Sequence, residues 1–442
     1  MSADGQGMYD LVRRLYPLCR SITGEGLRQT LAILGQETDL ELHEVPTGTP
    51  VLDWTVPKEW NLRDAYVKDA SGRRVIDFQA CNLHVVGYSV PVHQTMPLAA
   101  LRRHLHTLPE HPDWVPYRTS YYQEDWGFCL SQRQLDGLAD GDYEVRIDAT
   151  LADGHLTFAE CLVPGQTSEE VLISAHACHP SLANDNLAGI AVAVWLAKRL
   201  RAASSPPRHT YRFLFAPGTI GAITWLALRE PLLQRIRHGL VLACAGDPGP
   251  LTYKRSRRGD AEIDRVMAHV LTRSGRPHEI AEFSPYGYDE RQFCSPGFDL
   301  PVGCLSRTPY GRYPEYHTSA DNLDLVSPEA MEDTLETCWE VLTVLEANRS
   351  YRNLSPKGEP QLGRRGLYGS IGGRSDTEER QLALLWVLNL SDGGHSLLDV
   401  AERAELPFAL VAEAATRLEA ARLLAPTAHS ERPGRVPLRQ QA

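Results

Sequence analysis

Nowhere in these 442 residues does an apolar run approach the roughly 18 residues that a membrane helix requires. Met1 to Gly7 also lack the basic stretch and apolar core of a secretory signal. The chain is therefore expected to be cytoplasmic, with no membrane partner. An excess of positive charge is missing too: the net charge is -11 and no basic block offers a footprint for phosphates, so no nucleic-acid partner is expected. The nine cysteines are odd in number, scattered, and never in a Cys-x-x-Cys pair, which argues against a disulfide framework and against a cysteine zinc knuckle. Two catalytic signatures are absent as well. No Gly-x-Ser-x-Gly phrase places a serine on a strained turn, and no Gly-x-Gly-x-x-Gly phrase cradles a dinucleotide. Cys178 stands beside His179, but adjacent side chains on an extended chain point apart, which disfavours a cysteine nucleophile.

What is present is the balance of a globular protein, 43% hydrophobic and 23% charged, at a length suited to two or three domains. Leu11, Leu15 and Leu18, then Leu27, Leu31 and Leu34, carry helical spacing on either side of the break Thr23-Gly24-Glu25-Gly26, so two short helices are predicted. From about Leu42 to Val163 short apolar stretches are split by Pro, Gly and Asp, among them Val75 to Phe78, Leu83 to Tyr88, Tyr143 to Ile147 and His155 to Leu162. That region reads as a β-rich module, and its aromatic cluster of Tyr117, Tyr121, Tyr122, Trp126 and Phe128 reads as a packing face or as a wall against substrate. Strands and helices then alternate: Val171 to Ala175, Leu187 to Leu200, Tyr211 to Ala216, Ile220 to Leu228 and Leu240 to Ala245. Such alternation gives a sheet with helices on both faces. Beyond a linker-like stretch, Glu378 to Leu390, Ser396 to Ala404 and Pro407 to Leu424 have the form of a winged helix. In its would-be recognition helix Glu413 and Glu419 offset Arg417 and Arg422, so docking or self-association, giving a homo-oligomer, is expected there rather than DNA binding.

The chemistry concentrates in residues 171–200, VLISAHACHPSLANDNLAGIAVAVWLAKRL. A buried strand ends in His176, Cys178 and His179, and Asn184-Asp185-Asn186 opens a buried helix. Ligands of an open α/β sheet lie beyond the carboxyl ends of its strands, so both histidines and Asp185 should face that crevice. Imidazole and carboxylate are the ligands zinc favours where a position stays open for water. Asp247, after the strand Leu240 to Ala245, reaches the same edge, and His317 lies in a loop before a helix that begins near Ser327. Thr318, Ser319, Asp321 and Asn322 surround His317 and are candidates to fix its ring through the second nitrogen.

These residues resemble the co-catalytic, two-metal zinc aminopeptidases of the M28 type. That family shows a strand ending in His, a bridging Asp in an Asp-Asn pair, a Glu-Glu pair, another Asp, and a His in a Tyr-His-Thr phrase. The matches are His176 or His179, Asp185-Asn186, Asp247 and Tyr316-His317-Thr318. The whole chain is similar to a bacterial DUF4910-like group of aminopeptidase-like proteins, through TGEGLRQTL, DWTVPKEWNLRDAY, YYQEDWGFC, CHPSLANDNLAG, SRRGD and YHTSADNLD. The resemblance implies a doubly wound mixed α/β sheet over residues 1–45 and 165–350, an inserted β-rich domain over 46–164, a linker over 351–374 and a winged-helix-like domain over 375–442. It implies one or two zinc ions on His176, His179, Asp185, Asp247 and His317, with Tyr286, Asp289 and Tyr316 against a peptide or peptide-like amide from a polysaccharide or secondary-metabolite pathway. One departure matters. Where the family places its glutamates, FLFAPGTIGAITWL has Pro217, Gly218 and Thr219. Glu290 and Glu315 are the replacement candidates for catalysis, with Asp289 an additional ligand candidate; the alternative is a metal-retaining binding or scaffold protein that has lost hydrolysis.

Overall fold

A computed structural model describes residues 2–368 and 376–427. Part of the expected linker, 369–374, and the stretches 375 and 428–442 of the expected last domain lie outside them. The two N-terminal helices are α1, Ala3–Leu15, and α2, Glu25–Glu37. Ser2 caps α1 by accepting the Gly5 amide at 3.1 Å, satisfying one of the donors that a helix start leaves free. Met8, Leu11, Val12 and Leu15 form its buried stripe. At Gly26 a Cβ would collide with the Cys19 carbonyl oxygen, so glycine permits the close turn between the helices.

The strands of the main sheet are β1, Glu41–Pro46; β2, His155–Val163; β3, Glu170–His176; β4, Thr210–Ala216; β5, Ile236–Leu242; β6, Leu251–Lys254; β7, His278–Ala281; and β8, Val302–Ser306. They lie in the order β1-β2-β4-β3-β5-β8-β6-β7. β3, β4, β5 and β8 run parallel, while β1, β2 and the β6–β8 contact are antiparallel, so the sheet is mixed. Every residue of β3 is buried, as expected of a parallel strand covered on both faces. Helices α3, Gly189–Ala202, and α4, Ile220–Arg229, connect β3 to β4 and β4 to β5. Because β3 and its parallel neighbours all point the same way, the loops after His176, Ala216 and Leu242 emerge at one edge.

β2 departs from the sequence reading, which placed it in the inserted domain. Six consecutive buried residues show that both of its faces are covered, and it pairs with β1 and β4 in the main sheet. Composition identifies a strand there but carries no information on which sheet receives it. The other β-rich residues form a separate antiparallel sheet in the order Arg74–Asp77, Glu59–Lys68, Asp142–Ala152, Val92–Pro97. In Asp142–Ala152 buried positions alternate with more exposed ones, the period-two signature that fixes register. The apolar stretch Leu83 to Tyr88, part of the β-rich reading, begins with the short turn Asn82–His84.

A second compact unit comprises His269–Ser274 and the described residues from Glu340 onward. Its three-stranded sheet has Ser350–Asn353 in the centre, flanked by Asp392–Ser396 and Leu424–Pro426. Helices Asp376–Leu390, Leu397–Ala404 and Phe408–Ala420 complete a winged helix. The central strand straddles the place where the sequence reading ended the α/β domain and began a linker. Four residues are too few to display a period. No helix among the described residues is long and apolar enough to cross a membrane.

Candidate metal centre

β3 delivers His176 to the carboxyl edge of the sheet, and the irregular turn Ala183–Ala188 that leads into α3 delivers Asp185. His176 Nε2 lies 2.9 Å from Asp185 Oδ1. From the other side, His317 Nε2 comes to 3.0 Å and His179 Nε2 to 3.9 Å of Asp185 Oδ2. One ligand atom each from His176, His179 and Asp185 lie within 4.8 Å of one another. His317 stands beside this triad at the rim. Asp185 Oδ2 and His317 Nε2 are both buried atoms without a hydrogen-bond partner, so their closeness is not a bond.

The turn is held by side chains that face inward. Asn186 Nδ2 donates to the Leu242 carbonyl at 2.9 Å, and its Oδ1 accepts the Cys244 amide at 3.2 Å. Asn184 does the same work one turn away, accepting the Gly246 amide at 2.9 Å and donating to Asp247 at 3.0 Å. Asp321 accepts the amides of Asn184 and Asp185 at 2.6 and 3.0 Å. This corrects the expectation that Asp321 supports the His317 ring. Thr318 and Ser319 are likewise engaged with backbone, of Glu315 and Ala320, and of Val115.

Asn186 Nδ2 lies 3.4 Å from His176 Nδ1, and Cys178 Sγ 3.4 Å from His179 Nδ1, which corrects the expectation that the latter two side chains point apart; aromatic rings add to these contacts. Tyr288 stacks on His176 with centroids 5.4 Å apart, and Tyr316 on His317 at 4.0 Å. Tyr117 meets His179 and His317 edge-on at 5.3 and 5.0 Å, and its amide donates to the His317 carbonyl at 2.8 Å. Tyr117 and Tyr121, together with Cys178, His179, Gly218, Thr219 and His317, line a cleft of about 210 Å³. Part of the aromatic cluster therefore forms a wall of this cleft. Sequence reasoning missed Arg20, whose buried guanidinium donates from Nε to the His179 carbonyl at 2.9 Å. A lone arginine between two helices carries no signal that could have found it.

Other expected site residues fall elsewhere. Asp247 stands apart from the triad, and all of its acceptor capacity is taken. Oδ1 receives Thr308 Oγ1 at 2.6 Å and the Gly249 amide at 2.8 Å, and Oδ2 receives Asn184 Nδ2 at 3.0 Å and the Thr308 amide at 3.1 Å. It fastens loops and is corrected here from ligand to structural residue. Glu290 is buried and pairs through Oε1 with Lys254 Nζ at 2.7 Å. Neither Glu290 nor Glu315 is among the residues lining the cleft. Tyr286 is 68% exposed; its carbonyl accepts from Lys254 and Tyr310, and its ring meets the Tyr310 ring edge-on at 5.5 Å. Asp289 is buried, and its Oδ1 accepts the Thr219 amide at 2.7 Å. It brings a carboxylate to the loop that lacks one of its own.

Burial opposes charge on Asp185, but His179 and His176 outweigh it and hold the carboxyl well below the usual carboxylate range. Burial pushes His179 down to about 3, so its ring is neutral at ordinary pH. Against the effect of burial, Asp185 draws His176 above its ordinary value. Asp289 is raised by burial, partly offset by the nearby His176. A metal ion binds an ionised carboxylate and neutral imidazoles, so Asp185 and His179 stand in the binding form and an entering ion would displace the proton that Asp185 favours on His176. The buried, unbonded Asp185 Oδ2 gives such an ion something to satisfy, so the residues present fit a divalent cation with nitrogen and oxygen preferences.

Comparison with known proteins agrees with the fold. Residues 9–348 match the model of a domain of unknown function, DUF4910, and residues 349–426 match a winged helix-turn-helix. A Clostridium acetobutylicum protein named for polysaccharide biosynthesis and an aminopeptidase-like domain is 50% identical over 423 residues, covering 96% of this chain and 97% of its own. A crystal structure described as a peptidase from the same organism superposes with a TM-score of 0.91 at 48% identity, over 96% of both chains. A zinc aminopeptidase from Bacillus subtilis superposes at 0.56 with 13% identity, covering 76% of this chain and 94% of its own. An M28 peptidase precursor from Shewanella amazonensis gives 0.54 with 16% identity, covering 77% and 92%. The latter two establish an aminopeptidase-like fold.

Proposed function

We propose, for a chain that belongs to the DUF4910 family and carries a winged helix, that His176, His179 and Asp185 hold zinc and that the centre hydrolyses a peptide or peptide-like amide in the cytoplasm. The observation that carries this reading is the buried Asp185 oxygen left without a partner among imidazoles, two of which, His179 and His317, line a cleft. Bound zinc supplies Lewis-acid polarisation of an amide carbonyl and lowers the pKa of water. The chain's own residues do the rest. Tyr117, Tyr121 and Thr219 enclose the amide and exclude water from one side of it. Asp289, which bonds to the cleft-lining Thr219, is the carboxylate we assign to take the proton of the attacking water, in place of the glutamate missing at 218. The polysaccharide-biosynthesis name of the Clostridium relative favours an amide on a biosynthetic intermediate over a dietary peptide.

Gly218 supports a second reading, a metal-retaining binding protein without hydrolysis. The nearest neighbours of a Cβ at this position would be Cys178 Sγ at 3.5 Å and His176 at 3.8 Å, ordinary contact distances, so the glycine is not required by crowding at the Cβ. The test is metal content together with amide hydrolysis, in the unaltered protein and in Gly218→Glu. We expect bound zinc and slow hydrolysis, raised by about 10²- to 10⁴-fold when the glutamate is restored, the usual worth of a positioned base. Zinc with hydrolysis only in Gly218→Glu establishes the binding protein. A chain without metal removes the centre altogether.

A further inference from the structure

The two-metal arrangement implied by the aminopeptidase resemblance does not fit these side chains. We infer that the centre takes a single zinc ion on His176, His179 and Asp185, that Asp247 is not a ligand, and that His317 stands at the rim beside Asp185 without holding a second ion. The inference rests on the reading of this cluster as a metal centre.

Three observations carry it. The first is the triad itself, two imidazoles and a carboxylate with ligand atoms within 4.8 Å of one another. Two histidines and a carboxylate make a complete protein shell for a catalytic zinc that keeps one position open. His176 and His179 both belong to this set, where the two-metal pattern asks for only one histidine at this strand end. Arg20 holds the backbone of His179 in place, donating from Nε to its carbonyl at 2.9 Å.

The second observation concerns what a second ion would need. The position that should supply its glutamate is Thr219, whose hydroxyl lies 3.4 Å from Arg291 Nη2. The Arg291 cation and the Asp289 carboxylate, which accepts the Thr219 amide at 2.7 Å, both reach this position, so no uncompensated anion is left there for a second ion. The third is Asp247. Thr308, Gly249 and Asn184 supply four hydrogen bonds to its two oxygens, which leaves no lone pair free. Binding a metal through Asp247 would break contacts that tie the β5 loop to the turn carrying Asp185.

His317 differs from both. It lies outside the triad, lines the cleft, and brings Nε2 to 3.0 Å of the Asp185 oxygen. No hydrogen bond joins the two atoms, so His317 bears on Asp185 by proximity at the rim of the cleft. Losing a supporting partner beside a ligand costs about 10- to 100-fold in metal affinity.

The full-length chain, stripped with a chelator, is titrated with Zn²⁺ and with Co²⁺ while elemental analysis gives the ion count. We expect saturation near one ion per chain in both titrations, with the cobalt absorption band complete at that point. Asp247→Asn should leave the count and affinity unchanged. His317→Gln should weaken binding within about 10- to 100-fold, and His179→Gln by more than that range. Thermal unfolding of each metal-free variant identifies any that fails to fold, and the cobalt titration of the unaltered chain decides the stoichiometry independently of them. Saturation at two ions overturns the inference, as does affinity that survives His179→Gln but falls with Asp247→Asn. Absence of any bound ion overturns the metal reading itself, a result distinct from either.

Discussion

Two buried carboxylates on the main sheet, Glu160 and Asp185, sit among positive or potentially positive groups, yet their surroundings differ in kind. Glu160, on β2, accepts Arg212 Nη1 at 2.7 Å and Trp225 Nε1 at 2.9 Å on one oxygen. Its other oxygen accepts Arg229 Nη2 at 2.6 Å and lies 3.0 Å from His43 Nε2. Arginine and tryptophan only donate, so this acid is saturated and nothing remains for a ligand. Asp185 has imidazoles as partners, and a neutral imidazole keeps a lone pair. The same burial thus produces a structural knot in one place and an unfinished coordination shell in the other. Asp247 belongs with Glu160, although its position in the sequence suggested the opposite.

Substituting each acid separates the two cases. Asp185→Ala should abolish metal retention through purification, while the metal-free variant melts close to the metal-free parent; elemental analysis and calorimetry read the two quantities. A variant that retained its zinc would place the ion elsewhere. Glu160→Ala should do the reverse. It removes a partner from buried Arg212, which keeps only Glu170, at 2.7 Å. Breaking a buried pair in this way costs about 3–5 kcal/mol. Urea unfolding should show that loss at unchanged zinc content, whereas a smaller loss would mean that Glu170 alone satisfies the guanidinium.

How far the sequence revealed these regions follows from the same chemistry. The run Val171 to Leu200 announced a buried strand, a polar turn and a buried helix, because β3 and α3 are apolar on nearly all sides and the turn is not. His176, His179 and Asp185 were legible for that reason. Asp247 was misread because an aspartate at a strand end looks the same whether it faces a cation or four loop donors, and those donors come from residues as distant as Thr308. β2 went to the wrong sheet, and the strand Ser350–Asn353 into a linker, for a related reason. Pairing partners far along the chain decide both, and local periodicity does not encode them.

A third carboxylate, Glu59, extends the contrast towards the surface and gives the smallest expected effect. It joins α2 to the inserted sheet through Arg28, with Oε1 2.6 Å from Nη2. The hydrogen bonds from Arg28, opposed by partial burial, lower its pKa from 4.5 to about 2. For a carboxylate depressed on folding, the stability it contributes is present above the unfolded pKa and is lost as pH falls through the folded one. The α2 contact should therefore weaken between about pH 4.5 and about pH 2. Partly solvated pairs of this kind contribute up to about 1 kcal/mol. Glu59→Gln should unfold more easily than the parent at neutral pH, with the difference shrinking across that acid window in urea titrations. A difference that persisted below it would show that Glu59 acts through packing rather than charge. It would then belong with the saturated carboxylate of Glu160 in geometry alone, without sharing its electrostatics.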